Sequence, residues 1–181
     1  FGLIIGRRKA KVDIRQQGSG KTGATNVLRT TGKKAAFAVA ALDLLKGVLA
    51  VVFAGIIVGS DYLLIGEFSP GLLTGGQSED IGGMGGHIWP IFLGFRGGRG
   101  VATFFGGLLA LCPVAALFGG EVLIIGAGLS GFVSLGSITG AVGTYAILVP
   151  LIIINGFPIE YLAYTLIGTL VILYMHRGNI K

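Results

Sequence analysis

The chain carries few of the side chains that build cross-links or metal sites: one cysteine and two histidines among 181 residues. Cys112 lies in an apolar run beside Pro113, without an intrachain disulfide partner, a Cys/His ligand spacing or a neighbouring base to activate it. Charge is also scarce. Charged residues make up 12% of the chain, about half the roughly 25% of an ordinary soluble domain. With 52% hydrophobic residues and a mean hydropathy of +0.84, a soluble globular fold is excluded. The formal net charge of +6 raises the question of nucleic acid. However, the cations are segregated along the chain rather than interleaved with stacking aromatics, which excludes that partner.

What is present is apolar helix. Spanning about 30 Å of hydrocarbon takes roughly 20 apolar helical residues, and several stretches qualify. These are Ala35 to Val58, Val101 to Gly131 (long enough for a tilted or Pro113-kinked span), Val133 to Ile154 and Ile159 to Met175. Phe68 to Phe95 is broken by glycines, Pro70, Pro90 and the polar run Gln77 to Asp80, so a short span over Ile81 to Phe95 or a re-entrant piece is expected there. Phe1 to Gly6 reads as the inner end of a span whose beginning is missing. The expectation is one all-α, polytopic membrane helical bundle over residues 1–181, with six to seven spans in the complete protein.

The cations set the orientation. Arg7, Arg8, Lys9, Lys11, Arg15, Lys21, Arg29, Lys33 and Lys34 crowd one loop, while Asp61, Glu67, Glu79 and Asp80 occupy the next polar region without a Lys or Arg. The first loop is therefore expected in the cytoplasm. Alternation then puts Phe95 to Gly100, Gly131 to Ser137 and His176 to Lys181 on the same side, with Gly119 to Glu121 or nearby opposite. Every conspicuous polar motif falls in one compartment, as an active site at the membrane surface requires. Inside the first full span, Asp43 and Lys46 share a helical face. A central ionised residue costs about 2.5–3.5 kcal/mol on insertion scales, so this pair either locks helices or supports a site. The spacings Gly82/Gly86 and Gly136/Gly140 allow close helix approach.

The polar islands carry the chemistry. Gly18-Ser19-Gly20-Lys21-Thr22-Gly23-Ala24-Thr25-Asn26-Val27-Leu28-Arg29 combines flexible glycines, neutral hydrogen-bonding groups and two cations, the equipment of an oxyanion nest at a helix start. It formally contains G-x-G-x-x-G and the end of a phosphate-binding loop. Both motifs need a preceding strand, and none is legible, which argues against either nucleotide fold. Asn26 and Arg29 share a helical face. A second island, Phe95-Arg96-Gly97-Gly98-Arg99-Gly100-Val101-Ala102-Thr103, repeats the chemistry with a glycine turn, two guanidiniums and a helix start. His87 precedes Trp89-Pro90, and His176 ends the last span with Asn179 one turn on. Either histidine can orient a hydroxyl, act as a base or anchor the chain at the interface, and neither has zinc spacing. Ser134 and Ser137 share a face, to bind substrate or cap a helix.

These residues resemble the PlsY-type acyl-phosphate:glycerol-3-phosphate acyltransferases of bacterial membranes, along nearly the whole chain. Gly18 to Arg29 is similar to that family's GSGNxGATNxxR motif. Gly97 to Thr103, preceded by Gly86-His87 and Pro90, is similar to its GGKGVAT motif, and His176-Arg177-Gly178-Asn179-Ile180 to its HRxNI motif. The Val133 to Ile138 segment resembles its serine-bearing stretch. Two positions depart, Lys21 for Asn and Arg99 for Lys.

The resemblance implies transfer of a fatty acyl group from acyl-phosphate to the 1-hydroxyl of sn-glycerol 3-phosphate, giving lysophosphatidate and phosphate, with neither a cofactor nor a metal. Ser19, Arg29, His176 and Asn179 would be essential, and Gly97 to Gly100 would belong to the glycerol-phosphate site. Gly18, Gly20, Lys21, Thr22, Thr25, Asn26, Arg96, Thr103, Ser134 and Ser137 complete the expected phosphate-binding set, with His87 a further catalytic candidate. An acyl phosphate is already activated, so alignment, charge neutralisation and proton removal suffice. No Ser-His-Asp or Cys-His set is legible, so direct displacement is expected, with His87, His176 or a substrate phosphate oxygen taking the proton. The resemblance favours the substrate. A transporter or channel for a phosphorylated solute is the rival, weakened by the scarcity of ionisable residues within the spans.

Overall fold

The computed structural model describes residues 1–58, 83–157 and 159–180. All regular structure among them is helical. A nine-residue helix α1 (Gly2–Ala10) leads through a loop to α2 (Ala24–Thr31) and then α3 (Lys33–Val58). Residues 83–88 form α4 and are followed by a 3-10 turn, Ile91–Leu93. Then come α5 (Val101–Leu111), α6 (Pro113–Ser130), α7 (Val133–Asn155, with Pro150 inside it) and α8 (Glu160–His176), ending in a 3-10 turn at Arg177–Asn179.

Among the described residues, three helices are long and apolar enough to cross a bilayer: Lys33–Ala54, Pro113–Ser130 and Val133–Asn155. At 17 residues, α8 rises about 26 Å, close to the hydrocarbon thickness. The expected helices over Ala35 to Val58, Val133 to Ile154 and Ile159 to Met175 are found within two residues at every boundary. Most of Phe68 to Phe95 lies outside the described residues. At its described end the helix stops at residue 88, because Pro90 takes an extended conformation that no helix continues through.

The largest departure is at Val101 to Gly131, expected as one span. Cys112 is extended (φ −146°, ψ 86°), as the residue before a proline tends to be, and Pro113 opens a new helix at the position where its missing N–H does no harm. The two helices fold back on each other. A Cβ placed on Gly119 would lie 3.2 Å from the Phe105 ring, whereas a straight helix would separate those residues by about 21 Å. The chain therefore reverses at Cys112–Pro113, not near Gly119 to Glu121, and α5 and α6 form a hairpin.

Small residues let the bundle close. Cβ atoms on Gly136 and Gly140 would fall 2.4 Å from Leu123 O and 2.7 Å from Gly119 O, so α6 and α7 touch backbone to backbone. Gly86 is not such a contact, since its Cβ would meet nothing, and Gly82 lies outside the described residues. Across α5 and α8, the Phe104 ring stacks on Tyr164 with centroids 5.4 Å apart, and the Tyr164 hydroxyl donates to Phe104 O at 2.8 Å. These contacts fix the start of α5, where the second polar island ends.

Candidate active site

Asn26 folds the first island. Its side chain accepts from Ser19 N (3.0 Å) and donates to Ile14 O (2.9 Å), Gln17 O (3.1 Å) and Lys21 O (2.9 Å), and the residue is 2% exposed. Although Asn26 borders the cavity, both of its amide hydrogens are committed, so it has no donor left for a phosphate. This corrects the expectation that Asn26 binds phosphate: it shapes the loop that does the presenting. Gly18 is required by the same clamp, with φ +58° and a Cβ position 2.2 Å from Asn26 Oδ1. The loop thereby turns Ser19, Lys21, Thr25 and Arg29 toward a cavity.

The second island docks on the first through Thr22 N, which donates to Gly97 O at 3.3 Å. Its glycines are expected to offer free amides to an anion, but the Gly97 and Gly98 N–H groups donate to Ile88 O (3.1 Å) and His87 O (3.2 Å). They are glycine for space. A Cβ on Gly97 would sit 2.0 Å from His87 O, and one on Gly98 would sit 1.9 Å from His87 Nε2. Backbone N–H groups without a side-chain cap lie instead at the first turns of α2 and α5, where a helix end suits an anion. Gly18, Gly20, Thr22, Gly97 and Gly98 therefore hold the walls without lining the cavity. Arg96 is exposed and outside the cavity, a second correction. Thr103 is a third: it is fully buried away from the cavity, and its hydroxyl has no hydrogen-bond partner among the described residues.

The cavity has a volume of about 1250 Å³. Its lining includes Ser19, Lys21, Thr25, Arg29, Arg99, Gly100, Ser134, Ser137, His176 and Asn179, drawn from four separate stretches of sequence. Arg29 and Arg99 form no ion pair among the described residues. Burial first, and Arg29 second, pull the Arg99 guanidinium below its usual pKa. Two unpaired, mutually repelling guanidiniums on one wall favour a bound anion. His176, 1% exposed, is bonded through Nδ1 to Ile172 O at 2.8 Å. A carbonyl only accepts, so Nδ1 carries the proton and a neutral ring keeps its Nε2 lone pair. Ser137 donates to Val133 O at 2.8 Å, and neither serine caps α7, whose cap position is Phe132.

The rest of the lining is largely an apolar groove: Phe37, Leu44 and Leu45 of α3, Phe105 and Leu109 of α5, and Leu117, Leu123 and Ile124 of α6. Sequence reasoning misses this groove, because residues of a span look alike whether they face lipid, protein or a cavity. It also leaves Asp43 undecided and passes over Glu121, both of which line the cavity. Lys46 Nζ bonds to Asp43 Oδ1 at 2.7 Å and also to His87 Nδ1, with His87 Nδ1 itself 3.5 Å from Asp43 Oδ1. Among the described residues no three His, Cys, Asp or Glu side chains gather into a metal-ligand set.

The sequence pattern of the glycerol-3-phosphate acyltransferase family matches residues 1–181. Glycerol-3-phosphate acyltransferase 3 of Dehalococcoides mccartyi is 62% identical over 181 residues, covering 100% of this chain and 84% of the relative. The glycerol-3-phosphate acyltransferase of Halalkalibacterium halodurans is 39% identical, covering 100% of this chain and 83% of the relative. The crystal structure of PlsY, an integral membrane glycerol 3-phosphate acyltransferase, in its glycerol 3-phosphate form superposes with a TM-score of 0.80 at 32% identity, covering 98% of this chain and 82% of that one. Its lysophosphatidic acid form superposes with a TM-score of 0.78 at 33% identity, covering 99% and 82%. With an all-helical bundle, a cationic pocket and an apolar groove on one cavity, the chain belongs to the glycerol-3-phosphate acyltransferase family.

Proposed function

We propose that residues 1–181 act as one membrane-embedded unit that transfers a fatty acyl group from acyl-phosphate to the 1-hydroxyl of sn-glycerol 3-phosphate at the cytoplasmic face of a bacterial inner membrane. The observation that carries this reading is the joining of two chemistries in one cavity. Arg29 and Arg99, without an ion pair among the described residues, line a cavity whose other walls are mainly apolar side chains of α3, α5 and α6, which suits a reactant pair of phosphate heads and an acyl tail. The glycerol oxygen attacks the acyl carbonyl carbon, a new C–O ester bond forms, and the bond from that carbon to the phosphate oxygen breaks. Phosphate leaves with the electron pair, and the hydroxyl proton passes to a phosphate oxygen. Arg29, Arg99 and the first turns of α2 and α5 stabilise the growing negative charge. Ser19 hydrogen-bonds the reactants and forms no acyl intermediate, and the transfer uses neither a metal nor another cofactor. Cytoplasmic placement is supported by the cations of the first loop.

Purified protein in vesicles, given labelled glycerol 3-phosphate and palmitoyl phosphate, is expected to form labelled lysophosphatidate. Uptake of the label without product would replace the enzyme with a transporter. Trapping an acyl group on Ser19→Cys would overturn direct transfer.

A further inference from the structure

Two histidines meet this cavity, and their fixed partners give them opposite proton arrangements. His176 gives its Nδ1 proton to a carbonyl. His87 is held at the same ring nitrogen by Lys46, whose ammonium has three donors and no acceptor. Lys46 is itself held by Asp43, 2% exposed, at 2.7 Å. We propose that the Asp43–Lys46 pair locks His87 as the neutral, Nε2-protonated tautomer, so that its remaining N–H serves as a hydrogen-bond donor to the phosphate groups in the cavity and the ring does not take the glycerol proton. Lys46 and Asp43 are positioning residues in this arrangement.

Burial and charge support it. A lysine that paired only with Asp43 would form an i,i+3 pair on one helix, which α3 could hold without residue 87. Instead the ammonium bridges α3 to α4, and the His87 side chain is 8% exposed between them. At the far side of the ring, Nε2 occupies the space where Gly98 lacks a Cβ, and His87 is among the residues that line the cavity. Were His87 protonated at Nδ1 instead, that N–H would face an ammonium that cannot accept it, and Asp43 Oδ1, which already accepts from Lys46 at 2.7 Å, lies at 3.5 Å, the outer limit of a hydrogen bond. The bridge thus fixes both the ring's orientation and its tautomer, as a third group does for a triad histidine.

The kinetic part of the test rests on the acyl-transfer reading, while the spectroscopic part does not. Nitrogen NMR of histidine-labelled protein in detergent is expected to show one neutral ring protonated at Nε2. That ring's signal should become a mixed or charged form in Lys46→Met and recover in Lys46→Arg. In palmitoyl-phosphate assays, His87→Ala is expected to lower kcat about 10²-fold, the loss of one positioned donor. His87→Gln keeps an N–H near the Nε2 position but is no base, and is expected to stay within about tenfold of wild type. Lys46→Met should lower kcat with little change in KM. An Nδ1-protonated His87, a Gln variant as inactive as the Ala variant, or an Ala variant as active as wild type would each overturn the proposal. A wild type that gives the expected spectrum but makes no product would instead defeat the acyl-transfer reading.

Discussion

Two arginine clusters flank the first loop and have opposite fates. Arg7 and Arg15 both bind Asp13, at 2.9 and 2.8 Å, so the two share one carboxylate as their counter-charge. The hydrogen bonds from Arg15 foremost hold the Asp13 carboxyl well below the usual aspartate range. Arg29 and Arg99 line one cavity, close enough for Arg29 to depress the Arg99 pKa, and neither has an ion pair among the described residues. The first cluster has its counter-charge within the fold, and the second has no ion pair among the described residues. Counting cations in the sequence treats these four arginines alike. The difference lies in which of them the fold supplies with a counter-charge.

Substitutions can break this contrast in a graded way. Arg29→Ala should have the largest effect, lowering kcat/KM at least 10³-fold through loss of a charge-assisted phosphate contact. Arg99→Ala should follow closely, whereas Arg99→Lys, which keeps the charge but loses the fork, should cost only a few-fold in KM for glycerol 3-phosphate. Gly98→Ala should reduce kcat about 10²-fold without unfolding the protein, since the new methyl displaces the His87 ring from a position only 1.9 Å away. Steady-state assays on the four variants establish the order.

The cluster around Asp13 should behave differently. Arg7→Ala is expected to leave kcat and KM unchanged and to lower the thermal midpoint slightly. The pH dependence has a definite sign. Asp13 has a depressed pKa in the folded state, so its stabilisation is present above the unfolded aspartate value of about 3.9 and is lost as pH falls through the folded one. The difference in thermal midpoint between wild type and Asp13→Asn should therefore shrink on acidification from neutral pH. A difference that grew would contradict the ion-pair assignment.

Much of the fold was legible. Apolar runs define α3, α7 and α8 because a bilayer leaves a backbone little alternative to a helix. The hairpin at Cys112–Pro113 was not, because a proline inside an apolar run can kink a helix or end it. Which occurs depends on what the second half packs against, here α7 through Gly119 and Gly140. The site was legible as residue types but less so as roles. Asn26 and Arg29 lie one turn apart in the same motif, yet the amide became a loop clamp and the guanidinium a cavity wall.

The sequence by itself determined that the chain is helical and membrane-embedded, that its cations gather in a few polar islands, and that those islands match one family in order. Those properties follow from local composition and spacing. The tertiary structure alone decided which arginines stay unneutralised, which glycines exist for space and which way His87 carries its proton. Each of these depends on an atom from a distant stretch of chain arriving within hydrogen-bonding or van der Waals reach.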